Sequence, residues 1–148
     1  MIRIICVGKL KEPHYAQAAA EYLKRLERYA RVETFEVREQ TDRNAEVAKR
    51  KEAALISERL SSLNGYFTVA LDGRGQQVSS EEFAELLKKQ NLAFVIGGPD
   101  GTREYVLDGA DMVLSLSKMT LPHQLARVVL LEQLYRGFSI LKNEQYHK

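Results

Sequence analysis

Five short apolar runs alternate along this chain with helical stretches, and that alternation excludes most architectures. The runs are Met1–Val7 (MIRIICV), Val32–Val37 (VETFEV), Tyr66–Leu71 (YFTVAL), Leu92–Ile96 (LAFVI) and Asp111–Ser115 (DMVLS). Strands separated by helices do not close as hairpins. They pair through crossovers, which gives a largely parallel sheet with helices on its faces. Most of the runs are continuously apolar, as strands buried on both faces must be, whereas Val32–Val37 alternates and has a wetter side. The expected fold class is therefore α/β, with a mostly parallel sheet flanked by helices. A chain of 148 residues without internal repeat or linker fits a single domain over residues 1–148.

The helical stretches carry their own signals. Pro13 opens a helix whose inward face is Tyr15, Ala18, Ala19, Tyr22, Leu23, Leu26 and Tyr29. Asn44 caps a helix to about Leu60, with Ala48, Leu55, Ile56 and Leu60 inward and the basic triplet Lys49-Arg50-Lys51 in its course. Such a triplet is ordinarily solvated, although it can also meet phosphate. Ser79-Ser80-Glu81-Glu82 forms a capping box before a helix to about Gln90, with Phe83, Leu86 and Leu87 inward. A short helix spans Thr102 to Leu107.

Composition narrows the function classes. Lys and Arg total 22 against 20 Asp and Glu, a net charge of +2, so any nucleic-acid affinity must come from a local patch. The single Cys6 excludes an internal disulfide framework and a multi-cysteine zinc site, and its setting in Ile4-Ile5-Cys6-Val7 reads as a buried structural thiol. The N-terminus lacks a signal-peptide h-region, and no apolar run reaches the roughly 18 residues of a membrane span. A cytoplasmic protein is expected.

Ligands of open parallel sheets bind outside the carboxyl ends of the strands. Three segments meet that condition: Leu71 to Gly75, Gly97 to Gly101, and Ser117 to Pro122. Their strands are expected to be central and adjacent. Residues without a Cβ let a ligand approach the backbone, although Gly97-Gly98-Pro99 also has the composition of a plain tight turn. The third segment, Leu116-Ser117-Lys118-Met119-Thr120-Leu121-Pro122-His123, feeds the N-terminus of a long apolar helix, where unpaired backbone N–H groups face a ligand. Pro122 suits the first helical turn. His123 is the group of this turn that titrates near neutral pH, and it serves equally as an assisting base or as a hydrogen-bonding element of the loop.

The helix from Gln124 to Leu141 is apolar on more than one face, through Leu125, Val128, Val129, Leu130, Leu131, Leu134, Tyr135, Phe138, Ile140 and Leu141. A second copy of the chain covers such a surplus face, so a homodimer packed through this helix is expected; the other solution is a fully internal helix. The chain has no G-x-G-x-x-G after its first strand, no P-loop and no strand–G-x-S-x-G–helix elbow. His14, His123 and His147 lack metal-ligand spacing, so no metal is expected.

Ile96-Gly97-Gly98-Pro99-Asp100-Gly101, Leu114 to His123, Arg127 to Arg136 and Tyr146-His147-Lys148, with the opening Ile4-Ile5-Cys6-Val7-Gly8-Lys9, together resemble the RlmH-type family of SPOUT methyltransferases. The resemblance covers essentially the whole chain. It implies an α/β fold whose C-terminal part is threaded into a deep trefoil knot. It implies S-adenosyl-L-methionine as methyl donor, lined by Leu71, Gly97, Gly98, Ser117, Lys118, Met119, Thr120, Leu121 and Pro122. It also implies a homodimer that methylates N3 of a pseudouridine in large-subunit (23S) ribosomal RNA of assembled ribosomes. His123, Arg136, Tyr146 and His147 are the candidate catalytic residues, the last two reaching over from a partner subunit. A noncatalytic ribosome-binding module with the same fold is the alternative. A flavodoxin-like nucleotide enzyme is a further one, and it lacks a matching phosphate loop here.

Overall fold

The computed structural model describes residues 1–148. Strands and helices alternate strictly: β1 (Ile2–Val7), α1 (Pro13–Leu26), β2 (Val32–Val37), α2 (Ala45–Ser61), β3 (Phe67–Gln76), α3 (Ser80–Leu86), β4 (Leu92–Ile96), α4 (Glu104–Asp108), β5 (Met112–Leu114) and α5 (His123–Leu141). All strand pairs are parallel, in the order β2-β1-β4-β3-β5. β4 sits between β1 and β3, with Ile4 opposite Phe94 and Val69 opposite Phe94 from the other side.

Alternation along the strands divides the core into two layers. Ile2, Ile4, Cys6, Val69, Leu71, Phe94 and Ile96 face one way and pack with Ala19, Leu26, Phe83, Leu87, Leu130, Leu131 and Leu134 of α1, α3 and α5. Ile5, Val7, Ala70 and Val95 face the other way, against Ala53 and Ile56 of α2 and Val106 and Leu107 of α4. Each fully buried leucine of α5 contributes roughly 1.5–3 kcal/mol. Gly137 explains how α5 lies so close to α3: a Cβ there would come within 2.6 Å of Leu87 Cδ1.

The caps form as their residues dictate. The Asn44 side chain accepts the Glu46 N–H at 3.0 Å. Ser79 and Glu82 close a reciprocal capping box, with bonds of 3.1 and 2.7 Å.

Five expectations need correction. Asp72 to Gly75 is not a free loop. β3 runs on to Gln76 through an irregularity in its pairing with β5, and Gln76 again faces Leu114. β5 is an edge strand rather than a central one. α3 ends at Leu86, and residues 87–90 only turn, although Leu87 itself stays buried in the core. Pro122 is the N-cap of α5, and His123 is the first helical residue. In α2 the inward row is Ala48, Glu52, Ala53 and Ile56, while Leu55 and Leu60 are only half-buried.

Candidate functional site

At the carboxyl edge of the sheet a cavity of about 640 Å³ opens. That volume suits a ligand of nucleoside size. Leu71, Asp72 and Gly73 of β3 form one wall. Ile96 to Pro99 with Gly101 and Thr102 form the second. Leu116 to His123 with Ala126 form the third. Every residue expected to bind the cofactor lines it: Leu71, Gly97, Gly98, Ser117, Lys118, Met119, Thr120, Leu121 and Pro122. His123 lines it as well. The aliphatic side chains of Leu71, Ile96, Leu116 and Leu121 offer an apolar seat for a flat ring.

The second wall is a tight turn. Gly101, at φ +83°, donates its N–H to the Gly98 carbonyl at 3.0 Å. A Cβ on Gly97 would stand 2.3 Å from Thr102 Oγ1, and one on Gly98 would stand 2.9 Å from Glu52 Oε2. Only residues without side chains permit this close approach.

The third wall is held by its own serines. Ser115 Oγ donates to the Ser117 carbonyl at 2.8 Å, and Ser117 Oγ accepts the Met119 N–H at 2.9 Å. Met119 is 78% exposed, so the loop presents an apolar side chain to solvent. Pro122 has no capping side chain, so first-turn N–H groups of α5 remain without an intrahelical acceptor beside the cavity. A polar ligand edge fits there.

On the first wall, Asp72 accepts from Arg74 Nε at 2.8 Å, and Arg74 also donates to Glu104 at 2.8 Å. The guanidinium holds the Asp72 carboxyl below the usual carboxylate range. The cavity therefore keeps one ionised carboxylate on its rim.

Arg136, Tyr146 and His147 lie elsewhere. Arg136 is 13 positions beyond His123 on α5, about 20 Å along the axis. Its guanidinium donates twice to Glu132 Oε1, at 2.9 and 2.6 Å, and Tyr146 OH donates to the same oxygen at 3.1 Å. Burial pushes the Tyr146 hydroxyl pKa up. His147 meets Arg136 at 3.3 Å and Glu81 at 2.9 Å. The tail is thus docked on α5 and α3 rather than frayed, and within one chain it does not reach the cavity. Glu144 adds a further tie through Arg28 and Tyr29.

Nothing in the sequence singles out Glu52 or Gln124. A lone carboxylate on a basic helix reads as solvated, and a glutamine at a helix start reads as neutral. No group of three or more His, Cys, Asp or Glu side chains stands where it could hold a metal ion, and no helix is long and apolar enough to cross a membrane.

Comparison with known proteins bears on this site. A family model described as "Predicted SPOUT methyltransferase" matches residues 1–147. The chain is 44% identical to the ribosomal RNA large subunit methyltransferase H of Caldicellulosiruptor saccharolyticus over 156 aligned positions, covering 100% of both chains. It is 46% identical to the protein of the same name from Clostridium kluyveri, covering 99% of each. Among solved structures, a probable methylase family protein from Haemophilus influenzae superposes with a TM-score of 0.63 at 15% identity, over 99% of this chain and 70% of that one. The tRNA (m1G37) methyltransferase of Aquifex aeolicus does so at 0.60 and 16%, over 91% and 69%. At those identities the structures speak for the fold alone.

Proposed function

Because this chain belongs to the SPOUT methyltransferase family, we propose that it methylates N3 of a pseudouridine in large-subunit ribosomal RNA, taking the methyl group from S-adenosyl-L-methionine bound in the strand-end cavity. The observation that carries this reading is convergence. Three segments far apart in sequence meet in one cavity, and all nine residues expected to hold the donor line it.

The donor supplies an electrophilic sulfonium methyl. This chain's residues bind and orient it. Backbone N–H groups of the third wall and the start of α5 would meet its polar edges, and Leu71, Ile96, Leu116 and Leu121 would seat its apolar parts. To take that methyl group, N3 of the pseudouridine would have to lose its proton. His123, on the cavity wall, would assist that loss directly or by shaping the loop. Positioning supplies much of the rate in such a transfer.

The chain acts as a homodimer in this reading. Half-exposed Val128, Val129, Tyr135 and Ile140 on α5 offer the apolar face. Arg136, with Tyr146 and His147 docked beside it, then completes the partner's cavity, since Arg136 stands about 20 Å from His123 along α5. A ribosomal substrate implies a cytoplasmic protein. A net charge of +2 fits docking to a shaped ribosomal pocket better than general RNA binding.

Calorimetric titration with S-adenosyl-L-methionine, followed by methyl-transfer assays on ribosomes and on naked ribosomal RNA, tests the proposal. Saturable donor binding and mass-spectrometric detection of methylpseudouridine on ribosomes are expected. Ribosome binding without donor binding would point instead to a noncatalytic module.

A further inference from the structure

Glu52 stands where the spacing of α2 calls for an apolar residue. Ala48, Glu52 and Ile56 follow one another at i, i+4 and i+8 and are buried together, Glu52 at 4% exposure. No cation compensates it: the neighbouring Lys49 and Lys51 pair with Glu46 and Asp42. The charges that act on it, Glu39 and Asp100, are both of its own sign. A buried carboxyl so placed weakens a fold rather than strengthening it, so packing alone does not account for it.

Its contacts do. Glu52 Oε1 accepts the Gln40 N–H at 2.9 Å, which fixes the loop leaving β2. Glu52 Oε2 lies behind Gly98, 2.9 Å from where a Cβ would be, with Val7 Cγ1 at 3.0 Å. One carboxyl group therefore ties one strand-end loop and braces another, and the far side of the braced turn lines the cavity.

We propose that Glu52 is a positioning residue for methyl transfer: from behind the Gly97–Gly101 turn it sets where the turn's backbone meets the donor. The proposal rests on the reading that this turn holds S-adenosyl-L-methionine. Glu52 touches neither donor nor RNA. Its loss moves a binding surface that is used equally in ground and transition states, so it raises KM for the donor and leaves kcat nearly unchanged.

The test uses the full-length protein, wild type and three variants, with calorimetric Kd for S-adenosyl-L-methionine and methyl transfer to ribosomes. Glu52→Ala is expected to raise Kd and KM for the donor about tenfold or more, with kcat at saturating donor within about threefold. Glu52→Gln keeps the acceptor for Gln40 and is expected to restore both to within about threefold of wild type. Glu52→Asp withdraws the carboxylate by one methylene and is expected to raise Kd while leaving the thermal midpoint close to wild type. It also decides the matter should Glu52→Ala not fold. Wild-type Kd in Glu52→Asp and Glu52→Ala, with only the thermal midpoint lowered, would overturn the proposal. Absence of donor binding in the wild type would instead sink the reading of the cavity itself.

Discussion

The side-chain carbonyl of Gln124, on the first turn of α5, accepts the backbone N–H of Lys11 at 2.9 Å. The N–H of Glu12 reaches the same oxygen at 3.3 Å. The loop leaving β1 is thereby pinned to the helix that carries the third wall of the cavity. Gln124→Ala leaves two exposed donors to water and is expected to cost about 1 kcal/mol of stability. Hydrogen exchange should speed at Lys11 and Glu12 while the amides of β1 stay protected. Unchanged exchange at both would contradict the pinning.

Glycine substitutions separate close approach from mere composition. A Cβ at Gly75 would lie 2.7 Å from the backbone of Val113 and Leu114, whereas at Gly73 it would meet nothing within 4 Å. Gly75→Ala is therefore expected to destabilise by roughly 2–4 kcal/mol, and Gly73→Ala by under about 0.5. Gly98→Ala drives a methyl group against the Glu52 carboxyl and Val7, so donor binding should be lost before the fold is. Urea denaturation and calorimetry read the three variants.

Arg127 crosses beneath β1 to reach Glu36 on β2 at 2.8 Å, with 10% of the Arg127 side chain exposed against 30% for Glu36. Removing the cation leaves a half-buried carboxylate without its partner. Arg127→Ala is expected to cost about 2–3 kcal/mol, less than for a fully buried pair because water reaches Glu36. A double-mutant cycle with Glu36→Gln should return part of that loss; strict additivity would show the two residues uncoupled.

Burial pushes the Cys6 thiol up to about 11 from its ordinary 9.0. The folded state therefore keeps a proton that the unfolded chain gives up. Stability from this group is complete below pH 9 and is lost as pH rises through 11, by about 2–3 kcal/mol. Cys6→Ala should flatten that decline in an alkaline denaturation series. The native thiol should also resist aromatic disulfide reagents at pH 8 and react fully once unfolded.

The separation of His123 from Arg136 along α5 makes a complementation test decisive. His123→Ala, Arg136→Ala and Tyr146→Phe are each expected to lower methyl transfer on ribosomes by about 10²-fold, with Tyr146→Phe retaining donor affinity. Mixed dimers of a Gly98→Ala chain and a Tyr146→Phe chain carry one intact composite site, so mixing should restore activity that neither homodimer shows. Failure of the mixture, with subunit exchange verified by mass spectrometry, would show that the tail does not act on the partner's cavity.

The alternation of runs and caps made the layer architecture legible, since the 2-residue and 3.6-residue periods of strands and helices write directly into the sequence. The strand-end rule likewise pointed to Leu71, Gly98 and Ser117 to Pro122 as neighbours. Strand order was not legible: nothing local says that β4 inserts between β1 and β3. The extension of β3 through Asp72-Gly73-Arg74-Gly75 was hidden because its pairing with Leu114 is tertiary, and its composition is that of a turn. Glu52 was hidden for a similar reason, because its burial depends on a turn 46 residues away at Gly98. The docked tail escaped because a terminus carries no periodic signal, and the bonds to Glu132 and Glu81 exist only once α5 and α3 meet.

Every strand pairing in this sheet is non-local; even the nearest, Phe67 with Leu92, spans a whole helix. The piece that completes both the cavity and the layer of α1, α3 and α5, Leu116 onward, follows every strand of the sheet in the chain. A folding chain in which the sheet forms first therefore lacks one wall of the cavity until Leu116 onward has docked. Refolding from denaturant should share that order, with slow recovery of donor affinity trailing behind the return of helical signal.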